Sequence, residues 1–599
     1  MSERKDDIVI GRVLAFLERH WMVLVLAAWM LFAAWFLAKG WSTALAFGLG
    51  DTDDNMRMSQ ARALLAGQGW FDLRQYRLNP PFGADIHWSR LVDLPLAAII
   101  LLTRPFIGGA DAERTAAAIA PILPYLVLLF GIALTARRLV DPRAFLLPLI
   151  AMVVAGLANS MFMPDRVDHH GWQLALLSIS IAGLADPKRV RGGLTLGVTT
   201  ALSFAIGLEM IIYLAIAGAA VALFWVVDAG ERRRAIAYAA SLGGGVAFSF
   251  LVFASDANRQ AVCDALSPVW LSDLLLASAL LLVLAWLSPA DWKKRLALGA
   301  GAAVVLAAFH ALAWPHCLTR LEGVSPEVYD LWLSKVREAR PIYRHGWQTA
   351  SVILALPVTG LIGWTLLAWR NRIDADLFRR TIAAALPAIT AFGLLFWQTR
   401  TGPAAQVLAV TGAVAIVWVL APIFDRSSQP LIRTLGVAAV ALIGFGAVVP
   451  LALQMAPAKT TTKREVQINR ANRLCNFIGS YRDVGRQPKG VVFTFVDLAP
   501  RLITVTHHDS IIGPYHRNGQ QIVDVMRAFR GTPDEARAIF AKYKADYLLT
   551  CPDSSTTTIF RSEAPKGFYA QLSKGEAPGW LTPVPLADKS PFRMWRIAR

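Results

Sequence analysis

Apolar runs of about the length of a bilayer-spanning helix recur from Trp21 to Met455, separated by short polar loops. They lie near residues 21–39, 118–136, 144–157, 172–185, 193–207, 210–228, 236–254, 271–288, 297–313, 348–369, 380–396, 403–421 and 433–453, thirteen in all. Residues 193–228 run almost without a break, so the turn expected near Gly207 is tight. A further run, Leu94–Leu102, is short and ends in Thr103-Arg104-Pro105; it is expected as a re-entrant or interfacial element of the first external loop. Past Ala456 the texture becomes polar and broken by Pro and Gly, with strand-like runs 490–496 and 547–550 around a helical 535–543. The pattern predicts an α-helical polytopic membrane protein, with a membrane domain over 1–455 and a soluble α/β domain over 456–599.

Charge orients this scheme. With thirteen spans, the basic loops around Arg137-Arg138, Lys188-Arg189, Arg232-Arg233-Arg234, Lys293-Lys294-Arg295, Arg370 to Arg380 and Arg426 to Arg433 all fall on the side of the N-terminus. That places the N-terminus in the cytoplasm and the C-terminal domain in the periplasm of a cell whose inner membrane the chain crosses. The first span follows a charged leader, lacks a small-residue cleavage pattern and exceeds a signal h-region, so it is expected to be retained. Of 599 residues, 55% are hydrophobic and only 17% charged, which excludes a soluble globular class. The net charge of +18 is scattered in clusters between apolar runs, which points away from a nucleic-acid partner and towards the lipid bilayer. All four cysteines fall in predicted external regions; two disulfides or four free thiols both satisfy the count, and connectivity is not readable.

Acidic clusters stand in several predicted external loops. Gly50-Asp51-Thr52-Asp53-Asp54 offers carboxylate oxygens to a hard divalent cation, and equally reads as a helix cap. Asp165-Arg166-Val167-Asp168-His169-His170, at the mouth of an apolar run, places a carboxylate and an imidazole at a separation that lets both reach one metal if the segment is extended. Lys335-Val336-Arg337-Glu338-Ala339-Arg340-Pro341 carries an acid that by itself reads as a surface ion pair. Arg400, in Gln398-Thr399-Arg400, is placed to hold a phosphate or simply to snorkel. Glu209, at the tight turn, is either a functional carboxylate or a turn residue.

These residues resemble the catalytic subunit of oligosaccharyltransferases, especially the archaeal form, within the GT-C class of membrane glycosyltransferases. Leu78-Asn79-Pro80-Pro81-Phe82-Gly83-Ala84-Asp85-Ile86-His87-Trp88-Ser89-Arg90-Leu91-Val92-Asp93 is similar to that family's Tyr-Pro-x-Gly-x-x-Ile-His-Trp-Gly-Pro-Leu stretch. Asp51 matches its first-loop aspartate, Asp168-His169-His170 its archaeal Asp-His-His, Val336-Arg337-Glu338 its loop motif ending in Glu, and Gln398-Thr399-Arg400 its Gln-x-Arg. The resemblance implies a Mg²⁺ or Mn²⁺ held by Asp51, Asp168, His170 and Glu338, with Arg400 on the donor phosphate. Asp51, Asp168 and Glu338 are then the catalytic set, and Asp53, Asp54 and Asp165 the reserve carboxylates. The tail departs from the family, because nothing in 456–599 reproduces Trp-Trp-Asp-Tyr-Gly. Its motifs Thr506-His507-His508-Asp509 and Gly513-Pro514-Tyr515-His516-Arg517-Asn518 suit gripping a sugar or phosphate edge, or a loop satisfying its own backbone. Tyr515, His516 and Arg517, with His87 and Trp88, are assigned to the acceptor side.

The expected function is metal-dependent transfer of a sugar or oligosaccharide from a polyprenyl-(di)phosphate donor to a glycan, lipid or protein acceptor of the cell envelope, on the periplasmic face. The rival is a transporter or flippase of lipid-linked sugars, which would favour repeat symmetry and ionisable groups near the midplane.

Overall fold

A computed structural model describes residues 16–455 and 461–598. The start of the charged leader and the expected domain boundary lie outside the described residues. A helix stands at each of the thirteen expected positions, but not all of them are long. Among the described residues, eight helices are long and apolar enough to cross a membrane, and the pair Pro430–Gly444 and Val448–Met455, bent by 93°, would make a ninth. The shortfall has a local cause at residues 144–157, where Leu146–Ala151, a 3₁₀ turn Met152–Val154 and Gly156–Ser160 replace one continuous helix. His170–Leu184 and Ile211–Val227 are regular but only 15 and 17 residues long.

The expected tight turn is present: Arg189–Ile206 ends at Gly207 and Ile211–Val227 begins four residues later. The run at 94–102 forms a 15-residue helix, Asp93–Ile107, too short to span, with Leu101, Leu102 and Phe106 exposed and Leu96, Ala97 and Ile100 buried. It packs on Gly109–Ile119 across Gly108, whose φ of 80° a side chain would resist.

Small residues let the helices close on one another. Trp347–Asn371 and Gly402–Asp425 pack so tightly that a Cβ on Gly363 would run into the carbonyl of Gly412. Trp292–Ala313 buries only Arg295, leaving an apolar cylinder whose natural solvent is lipid.

The C-terminal unit carries five strands, β1 (Val491–Phe493), β2 (Asp509–Ser510), β3 (Tyr547–Thr550), β4 (Leu581–Val584) and β5 (Arg593–Ile597), in the order β2-β1-β3-β5-β4. β1 runs parallel to β2 and β3, and β5 antiparallel to β3 and β4. Two of these strands and the helix Pro533–Lys542 stand where the sequence predicts them. The first long loop adds itself to this unit. Leu78 bridges to Ser510, Asn79 N–H donates to the Ser510 carbonyl at 2.8 Å, and Ser510 N–H donates to the Arg77 carbonyl at 2.9 Å. Met56, Leu78, Ile86 and Trp88 share one buried cluster with Phe493, Phe529 and Trp595.

All four cysteines are paired, as Cys263–Cys317 (Cα–Cα 5.5 Å) and Cys475–Cys551 (6.3 Å). Thiol titration of the denatured protein without reductant is therefore expected to find no free thiol, and after reduction four. Four thiols before reduction would contradict the pairing.

Candidate functional site

Two helix N-termini converge to build the site. Asp51 caps Thr52–Leu65: its Oδ1 accepts from the backbone N–H of Asp53 at 2.9 Å and of Asp54 at 3.2 Å, while Asp54 Oδ2 accepts from Asp51 N–H at 3.1 Å. The cap fixes both carboxylates over the positive end of the helix dipole. Asp168 stands just before His170–Leu184, accepting from His170 N–H at 3.0 Å, and its own N–H donates to Asp54 Oδ1 at 3.1 Å. Oxygens of Asp51, Asp54 and Asp168 thereby come within 4.8 Å of one another. The cap reading of Asp51 holds, and the capping geometry leaves its carboxylate facing those of Asp54 and Asp168.

Arg166 sits among these carboxylates. Its Nη1 contacts Asp51 and lies 3.1 Å from Asp54 Oδ2, and its Nη2 lies 2.6 Å from Asp168 Oδ2. The surrounding groups feel one another strongly. Burial and then the Asp51 charge push Asp53 up to about 8 and raise Asp54 well above the carboxylate range. Burial opposes ionisation of Asp168 too, but His170 and Arg166 outweigh it and hold that carboxyl below the usual range. For His170 burial acts downwards and the Asp168 carboxylate, 3.1 Å from Nδ1, overrides it, raising the imidazole to about 10. A cation entering here would displace a proton as well as Arg166.

Glu338 stands apart from the group of three. It is exposed on the 3₁₀ turn Arg337–Ala339, and it acts on the site through its charge on Asp53. Asp54, kept only in reserve by the sequence reading, supplies the third carboxylate because the capping box locks it beside Asp51. The third acid of the 165–170 segment, Asp165, is buried with positive φ and faces Arg501 rather than the cluster. Arg400 is partly exposed, 3.7 Å from Glu322. Its turn is laced to the Glu338 segment, with Thr399 N–H on the Arg340 carbonyl at 2.9 Å and Thr399 Oγ1 on the Glu338 carbonyl at 3.2 Å.

The residues assigned to the acceptor side do come together, across more than 400 positions of sequence. Trp88 meets Tyr515 edge-on at 5.6 Å, and His87 meets His516 at 4.6 Å. Trp88 and Tyr515 are buried, so they are walls of the site and not an open grip. Tyr515 Oη donates to the Thr52 carbonyl at 3.1 Å and Arg501 Nη1 to Asn55 Oδ1 at 3.3 Å, which fastens the C-terminal unit to the helix that carries Asp51. Arg517 pairs with Asp264 through two bonds of 2.8 and 2.7 Å. Glu209 is no idle turn residue, because it accepts from Gln173 at 2.9 Å and holds His169 Nε2 at 2.6 Å.

No protein-family model and no curated protein matches the chain. Solved structures do. The oligosaccharyltransferase AglB of Archaeoglobus fulgidus, in complex with an inhibitory peptide and a dolichol-phosphate, superposes with a TM-score of 0.68 at 15% identity, over 95% of this chain and 73% of that one. The A. fulgidus oligosaccharyltransferase tethered to an acceptor peptide containing the NVT sequon gives 0.68 at 14% identity, over 98% and 75%. Its complex with Zn and sulfate gives 0.55 at 15%, over 84% and 64%. At such identity the likeness establishes the fold: a GT-C-like helical membrane protein with a C-terminal α/β unit.

Proposed function

We propose that the chain is a membrane glycosyltransferase that moves a sugar or oligosaccharide from a polyprenyl-phosphate or polyprenyl-diphosphate donor to an envelope acceptor. The observation that carries the reading is the convergence of Asp51, Asp54 and Asp168 on one point, between two helix N-termini and beneath the C-terminal unit. The shared fold supports it, since the similar archaeal structures hold dolichol-phosphate, an acceptor peptide or Zn. The two disulfides suit an oxidising compartment and so a periplasmic face. On this reading the membrane domain is 1–455, the periplasmic domain 456–599, and the N-terminus cytoplasmic.

The donor set fits a hard divalent cation, Mg²⁺ or Mn²⁺. Three carboxylates within 4.8 Å of one another need positive charge among them, and Arg166 meets that need in this structure. Asp51, Asp54 and Asp168 would hold the ion with His170 alongside, and Glu338 would add charge from the loop above. When bound, such an ion offsets negative charge that develops on the leaving phosphate. Arg400 binds the donor phosphate, on a turn tied to the Glu338 segment. Asp51 is the only exposed member of the three, so it is the one that meets the acceptor and orients or deprotonates its nucleophile. Trp88, Tyr515, His87, His516 and Arg517 act on the acceptor side as positioning residues, by seating the C-terminal unit over the site.

Purified protein given a polyprenyl-linked radiolabelled sugar pool and extracted envelope fractions, with Mn²⁺ or with EDTA, tests the reading. Metal-dependent label in the envelope fraction is the expected outcome. No transfer from any donor, with labelled lipid crossing proteoliposome membranes, would instead make the chain a transporter. Arg400→Ala is expected to raise the donor KM by about 10-fold to 100-fold with kcat less affected, the loss of one charge-assisted contact. An unchanged KM would remove Arg400 from the donor site.

A further inference from the structure

We propose that His87, Asp264 and His516 form a second cation site, separate from the aspartate cluster and suited to Zn²⁺, that fastens the C-terminal unit to the loops of the helical domain. One donor atom of each residue lies within 4.8 Å of those of the other two. The three come from segments far apart in sequence: His87 from the long first loop, Asp264 from the loop between Phe253 and Pro268, and His516 from the 3₁₀ turn His516–Asn518.

Each ligand is held by its own support. Asp264 follows Cys263, whose disulfide to Cys317 anchors that loop. The His87 carbonyl accepts from Asn258 Nδ2 at 3.2 Å. The turn that bears His516 is locked to the first loop by Asn518, which accepts from Asp85 N–H at 2.9 Å and donates to the Asp85 carbonyl at 2.8 Å. His87 Nδ1 is buried with no hydrogen-bond partner among the described residues, an expensive state for an imidazole unless something else completes it.

The chemistry of the donors separates this site from the first one. Two imidazole nitrogens and one carboxylate oxygen are a borderline set that favours Zn²⁺, whereas the aspartate cluster is built of hard oxygens. His516 Nε2 and Asp264 Oδ2 are now hydrogen-bonded at 2.6 Å. Bonds of about 2.0–2.1 Å at a tetrahedral ion would set that separation near 3.3 Å, so the pair needs to part by under about 1 Å. Arg517 supplies the outer support: its bonds of 2.8 and 2.7 Å orient the Asp264 carboxylate, while its Nη1 leans on Asp85 at 3.5 Å. Asp85 and Asp264 outweigh the positive charge of Arg517 by one, so a divalent ion leaves a net +1.

The site does not depend on the glycosyltransferase reading, and its test excludes the first cluster. The full chain carrying Asp51→Asn and Asp168→Asn is dialysed against Zn²⁺ and assayed for bound metal by mass spectrometry. About one Zn²⁺ per chain is expected to remain, and adding His87→Gln or His516→Gln should weaken binding by at least about 100-fold. Co²⁺ in the Asp51→Asn, Asp168→Asn protein should show the intense visible bands of a tetrahedral nitrogen and oxygen site, a readout that needs no histidine variant. Zn²⁺ should also raise the Tm of that protein and not of the one with His87→Gln added. No retained metal, a Co²⁺ spectrum without tetrahedral bands, or retention that survives both histidine changes would each show that the cluster is a hydrogen-bonded latch only.

Discussion

Asp168→Asn is expected to lower sugar transfer by about 10²-fold to 10³-fold, with the fold intact. The replacement keeps the shape of the side chain and an oxygen able to accept from His170 N–H, now at 3.0 Å. What it removes is one of three carboxylates that share a point, and with it the partner of His170 and one of the three partners of Arg166. Removing a preorganised charge of this kind costs about 2.7–4 kcal/mol of transition-state stabilisation where the site excludes water, and Asp168 is 4% exposed. Asp54→Asn is expected to fall in the same range. Initial rates from labelled polyprenyl-linked donor, with the melting temperature as the control for folding, decide the matter. Activity within about threefold of wild type in a folded Asp168→Asn protein would take the cluster out of the chemistry.

The difference between Asp54 and Glu338 shows how far a sequence carries such a site. Asp51 and Asp168 stand in short acidic runs at the edge of apolar stretches, which is a pattern visible without a fold. The choice of third acid depends on something more local. Asp-x-x-Asp ahead of a helix is a capping spacing, and it ties Asp54 to Asp51 through backbone hydrogen bonds before any tertiary contact forms. That signal was present but reads equally as a cap and nothing more. Arg166 as the bridging cation was not legible, because its pairing with Asp51 spans 115 positions and depends on how two loops meet. Asp264 had no signal at all, being a lone acid in a loop whose partners lie 252 and 253 positions away.

The fold divides the same way. Hydropathy located the helices because each one must bury or present an apolar length, and it located β1 and β3 because short runs of apolar, aromatic and β-branched residues bounded by polar ones mark them. It counted thirteen spans where, among the described residues, eight helices pass on length and apolarity, or nine with the bent pair, since a run interrupted as at Met152–Val154 has the composition of a span without its continuity. The extension of the sheet edge by Arg77 to Asn79 left no trace in the sequence: three residues make too short a strand to show a period, and their partner lies beyond position 500.

The largest stability loss is expected from Asp93→Ala. Asp93 is fully buried and bridges two guanidinium groups at once, Arg57 Nη1 at 2.8 Å and Arg90 Nη1 at 3.1 Å, whose side chains are 1% and 0% exposed. Arg57 Nη1 also donates to the Ser89 carbonyl at 3.1 Å, and Arg90 to the carbonyls of Gln60 and Asp72 at 3.0 and 2.7 Å and to Gln68 Oε1 at 3.1 Å, while Nε and Nη2 of Arg57 and Nε of Arg90 are buried without a hydrogen-bond partner among the described residues. Neither arginine reaches water, so removing the carboxylate strands two charges in a low-dielectric interior. Breaking a buried pair from one side costs about 3–5 kcal/mol. Arg57 also stacks on Trp88 at 4.5 Å, and Trp88 packs on Tyr515 and His169, so the loss would loosen the wall between the first loop, the C-terminal unit and the aspartate cluster. Tryptophan-monitored unfolding in detergent measures the effect. Replacing all three charges, with Arg57→Met, Arg90→Met and Asp93→Leu together, should recover most of the stability, because a buried ion cluster holds a shape more than it adds net energy. A single Asp93→Ala variant as stable as wild type would mean that the arginines reach solvent in the working protein, and that the first loop is seated by its apolar residues alone.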